Sequence, residues 1–153
     1  MDKKEPHHPF LSPAYQKRSG YKYHNEFSKL GLTAEYAEKI SFVELLNCPT
    51  CGKTIYKRLI EMLDVSHLRK LDHLMLSAGG NKAVYITKGV YSKLFDIGQE
   101  YRCFQWLPRP IKFERNTLYP ICEFGGTKIY VITHFSDAIS NKHLADIRST
   151  IKV

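Results

Sequence analysis

Within Ser66-His67-Leu68-Arg69-Lys70-Leu71-Asp72-His73-Leu74-Met75-Leu76-Ser77-Ala78-Gly79-Gly80-Asn81-Lys82-Ala83-Val84-Tyr85-Ile86-Thr87 the spacing of apolar residues changes character. Leu68, Leu71 and Met75 recur at helical intervals, so the spacing predicts a helix from His67 to about Ser77, capped by Ser66. Gly79-Gly80 ends it, because glycine readily takes the left-handed conformation that closes a helix. Lys82 to Thr87 then alternates as a strand does. Helices before this point and strands after it predict an α+β fold.

Toward the N-terminus, Thr54 to Leu63 reads as a preceding helix with Ile55, Leu59 and Met62 on one face and Lys57 and Arg58 elsewhere. Asp64-Val65-Ser66 separates the two helices. Thr33 is placed to cap an earlier helix that runs to about Leu46, with Ala37, Ile40, Val43 and Leu46 as its core stripe. Pro49 ends that helix, since the residue before a proline is driven out of the helical region. Residues 1–31 read as a basic, aromatic arm, because Pro6, Pro9 and Pro13 exclude a regular helix and tyrosines alternate with cations.

Toward the C-terminus, Val90 to Ile97 suits a short helix. Tyr101 to Leu107, Ile111 to Glu114, Leu118 to Glu123 and Thr127 to Thr133 read as strands of a small antiparallel sheet, with Gly125-Gly126 closing the last hairpin. Ser136 is placed to cap a closing helix bearing Ile139, His143 and Ile147 on one face. The expected organisation is an arm (1–31) and one domain (32–153). The domain divides into a helical part (32–80), a mainly β part (81–135) and the closing helix (136–150).

The chain has 153 residues, a formal charge of +8 and a pI of about 9.3, which points to an anionic partner such as nucleic acid. The excess is local: residues 53–95 carry eight basic and three acidic side chains. No apolar run reaches the ~20 residues of a membrane span, and no apolar stretch follows the charged N-terminus as a secretory signal would. The expectation is a protein inside the cell, cytoplasmic or nucleoid-associated (nuclear in a eukaryote), with no membrane partner. In a reducing compartment the four cysteines are expected to be free or metal-bound rather than paired.

Asn47-Cys48-Pro49-Thr50-Cys51-Gly52-Lys53 places two thiols on a tight turn. Cys-Pro-x-Cys-Gly resembles the first half of zinc-ribbon and rubredoxin-type knuckles, which implies a structural Zn2+ held by Cys48 and Cys51. Tetrahedral zinc needs two further ligands. Cys103 and Cys122 are one choice. His67 and His73 are the other, although six positions on a continuous helix separate side chains by about 240°.

The helix pair 54–63 and 66–77 resembles a helix-turn-helix. The resemblance implies that the second helix enters the major groove of DNA and offers His67, Arg69, Lys70 and His73 to it. Lys57, Arg58, Lys82 and Lys88 would then hold phosphates, the last two from a wing formed by the following strand. The expected function is DNA binding, as a transcriptional regulator, with DNA favoured over RNA. One alternative is a non-catalytic adaptor for a protein partner or a second copy of the chain, using Phe104, Trp106, Tyr119 and Tyr130 on the sheet. Those four rings equally suit the core. The other alternative is a small metal-dependent nuclease. A binding protein is favoured over an enzyme, because the histidines, carboxylates and cysteines stand isolated. There is no Gly-rich phosphate loop and no HExxH, and His134 is a lone candidate base.

Overall fold

The computed structural model describes residues 21–32, 34–48, 55–77 and 82–152. Along the chain stand α1 (Tyr21–Ser28), a 3-10 turn (Ala34–Lys39), α2 (Tyr56–Glu61), α3 (Val65–Leu76), β1 (Lys82–Thr87), α4 (Lys88–Tyr101), β2 (Tyr119–Phe124), β3 (Thr127–Ile132) and α5 (Asn141–Thr150). The fold is α+β, with helices around a three-stranded sheet and a helix at the C-terminal end.

The sheet is mixed, not antiparallel. Its order is β1-β3-β2, with β1 parallel to β3 and β2 antiparallel to β3. The cause is α4. Thr87 passes straight into that helix, and a helical crossover lets a later strand run parallel to an earlier one. The Gly125-Gly126 turn makes the β2–β3 hairpin as expected, both glycines having positive φ.

Each sheet face carries its own core. Ile86, Ile129 and Val131 meet Leu68, Leu71 and Met75 of α3 and Tyr91, Leu94 and Ile97 of α4. On the other side Ile132 and Phe135 meet Phe27 of α1, Leu30 just after it, and Leu144 and Ile147 of α5. Tyr85 and Tyr130 are register partners and stack at 5.4 Å on that second face. Two-sided cover of the sheet is what a parallel pair demands.

Several expectations are corrected. Residues 21–28 of the segment read as an arm are helical, with Phe27 buried; residues 1–20 lie outside the described part. Tyr23, Phe27 and Leu30 recur at helical spacing, a signal masked by the prolines upstream. The helix expected over 33–46 is a 3-10 turn at Ala34–Lys39 followed by irregular chain. Tertiary contacts hold that chain instead: the Glu44 carbonyl meets His67 Nε2 at 3.0 Å, and Asn47 Nδ2 donates to Asp64 at 2.7 Å. Ile55, expected inward, is 66 % exposed.

Asp64, not Ser66, caps α3, accepting from the backbone N–H groups of Ser66 and His67. Thr33, Thr54 and Gly79-Gly80 lie outside the described residues. The strands expected at Tyr101–Leu107 and Ile111–Glu114 are absent: α4 continues to Tyr101, and an irregular connection fills 102–118. Pro108 and Pro110 cannot donate to a ladder, and Arg102 and Phe104 take left-handed φ of 55° and 52°. The closing helix begins after Ser140, whose hydroxyl accepts from His143 N at 3.1 Å.

His143 gives the fold a pH dependence. It is fully buried, and its Nε2 accepts from the Thr133 N–H at 3.2 Å. Burial lowers its pKa, with Asp146 opposing and Lys142 adding to the shift. The folded ring stays neutral where the unfolded ring takes up a proton, below about 6.5. Stability is therefore expected to be complete above that pH and to fall as pH drops below it. Urea midpoints for wild type and His143→Gln between about pH 7.5 and 5 should show a steeper acid loss in the wild type.

Candidate nucleic-acid interface

Helix α3 is oriented by its buried side, Leu68, Leu71 and Met75. That choice puts Ser66, Arg69, Lys70, His73 and Ser77 on the opposite, exposed side. With Val65 and Leu74 these residues line a shallow open depression. Among the described residues no carboxylate lies within ion-pair distance of Arg69 or Lys70, nor of the exposed Lys57 and Arg58 on α2. The one acid within α3, Asp72, is drawn sideways: Trp106 Nε1 donates to it at 2.6 Å. Arg69 lies against Cys103. Burial pushes that thiol's pKa up and Asp72 pushes it further, while Arg69's charge and hydrogen bond pull it down.

The other residues singled out in the sequence go elsewhere. His67 is half-buried and holds the Glu44 carbonyl. Lys82 donates to the carbonyls of Leu74 and Ser77 at the end of α3, and burial lowers its pKa. It satisfies carbonyls that a helix end leaves open. Lys88 is half-buried in the first turn of α4. The two consecutive helices exist, separated by Met62-Leu63-Asp64, but β1 is an edge strand paired to β3 and not one arm of a wing.

Among the described residues the metal candidates stand apart. Cys48 is exposed, Cys103 is buried beside α3, and Cys122 is half-buried on β2 with a pKa raised by burial. Cys51 lies outside the described residues. His67 is taken by Glu44, and His73 is on the exposed side of a continuous helix. Among the described residues no three His, Cys, Asp or Glu side chains form a ligand group. His134 accepts from the Ser136 N–H at 3.1 Å and packs on the Tyr23 ring, which is a loop-closing role. Phe104 is buried, and Phe104 and Trp106 sit on a loop instead of the sheet. No helix among the described residues is long and apolar enough to cross a membrane.

One cationic group went unread in the sequence. Connection 102–118 carries Arg102, Arg109, Lys112 and Arg115, all exposed, against the single acid Glu114. Charge averaged over residues 96–153 hides it, because carboxylates outside the loop offset it. Reading two strands there also divided what is one connection. Comparison with protein-family models, characterised proteins and solved structures gives no match.

Proposed function

We propose that the chain binds double-stranded DNA through α3, as a non-catalytic, regulatory protein. The observation that carries this reading is the exposed side of α3, where Arg69, Lys70 and His73 stand together with no carboxylate paired to the two cations among the described residues. A helix is about 10–12 Å across with its side chains, matching a major groove about 12 Å wide. Cations held on a helix anchored from behind suit phosphates and base edges without further ordering.

Anisotropy titration of a labelled random duplex tests it. With about four or five phosphate contacts, affinity should fall on the order of 10²–10³-fold between about 50 and 200 mM salt. Arg69→Ala with Lys70→Ala should lower the logarithmic salt slope by about 2 and weaken binding by about 10–100-fold. Absence of binding at the lower salt, or binding indifferent to salt, would exclude the reading.

A further inference from the structure

We infer that connection 102–118 is a second phosphate-holding element, which grips the backbone of the same duplex whose groove α3 occupies. The inference rests on the DNA-binding reading above. Trp106 Nε1 meets Asp72 at 2.6 Å, and Cys103 lies against Arg69, so the start of the loop packs on one flank of α3. Asp72 is three residues from Arg69, about 60° round the helix toward the core. The flank in question is therefore the Arg69 flank. A helix seated in the major groove has the sugar-phosphate strands running along its flanks. The loop starts where phosphates pass, and Arg109, Lys112 and Arg115 follow three to nine residues beyond Trp106.

The loop is also held rigidly, which a long connection of irregular chain ordinarily is not. Phe104 and Leu107 are buried. Tyr91 OH donates to the Pro108 carbonyl at 2.7 Å. Phe113 packs edge-on against Tyr91 and Tyr119, and the Glu114 N–H donates to Tyr119 OH at 2.9 Å. Asn116, with φ of 58°, donates to Thr133 Oγ1 at 2.8 Å. Arg109 stands between two prolines, which keep its backbone extended. Along the connection Arg102, Arg109, Lys112 and Arg115 are exposed, the other exposed residues being Gln105, Pro108, Ile111 and Glu114. None of the four cations has an ion-pair partner among the described residues. A preorganised backbone carrying unpaired cations binds an anion with little ordering cost.

The test compares three proteins in the same salt titration: wild type, Arg69→Ala/Lys70→Ala, and Arg109→Ala/Lys112→Ala/Arg115→Ala. Arg102 is left intact because its left-handed backbone makes any substitution there ambiguous. The loop variant should keep the wild-type melting temperature, lower the salt slope by about 3, and weaken binding on the order of 10²-fold at about 100 mM salt. Lys112→Gln alone should lower the slope by about 1 and serves as the readout if the triple variant is unstable. A wild-type slope in both loop variants, beside a reduced one in the α3 variant, overturns the inference and leaves the α3 reading standing. No salt-dependent binding by the wild type overturns both.

Discussion

Gly98→Ala is expected to destabilise the protein by about 3 kcal/mol, the upper end of the range for overpacking. The added methyl would fall inside contact distance of the Cys103 carbonyl oxygen, a backbone atom. That atom cannot easily retreat. Arg102 and Phe104 on either side already use left-handed conformations, and Gln105 Nε2 donates back to the Gly98 carbonyl at 2.6 Å. The chain leaving α4 therefore doubles back over the helix through a contact that only glycine permits. A loss of this size lowers the melting temperature by roughly 10 °C in a domain of this length. Calorimetry checks it; an unchanged transition would mean that the loop packs elsewhere.

Tyr91→Ala is expected to cost about 3–5 kcal/mol, as truncation of a buried aromatic does. The ring is fully buried on α4 between the sheet and the loop, and it carries both the Pro108 hydrogen bond and the Phe113 contact. Burial, with Cys122 adding to it, pushes the phenol up to about 12, so it remains a donor at any ordinary pH. Tyr91→Phe separates the two roles. It keeps the packing and should cost about 1 kcal/mol, the net worth of the hydrogen bond. Urea unfolding of both variants measures the difference, and near-equal losses would contradict the division.

The two exposed arrangements that carry the functional reading differ in how far the sequence reveals them. Helix α3 is legible because Leu68, Leu71 and Met75 keep strict helical spacing, which fixes Arg69, Lys70 and His73 on the opposite side. The hairpin is legible from Gly125-Gly126. The direction of β1 is not, since alternation reports a strand and not its partner. Nor is the fate of Tyr101 to Glu114. Aromatic and β-branched residues there satisfy strand patterning, but their partners are Tyr91, Asp72 and Tyr119, which only the folded chain brings against them. Lys82 and His67 look like free cations or ligands in sequence for the same reason. Their acceptors are the Leu74 and Ser77 carbonyls and the Glu44 carbonyl, which only the folded chain brings near.

The central claim is that duplex DNA lies against α3. Amide chemical-shift mapping of labelled protein on addition of a short random duplex tests it most directly. The account predicts perturbations concentrated at residues 65–77, extending into 102–118, with β2 unaffected. Perturbations confined to the β2 edge, or none at a salt of about 50 mM where phosphate contacts are strongest, would contradict it.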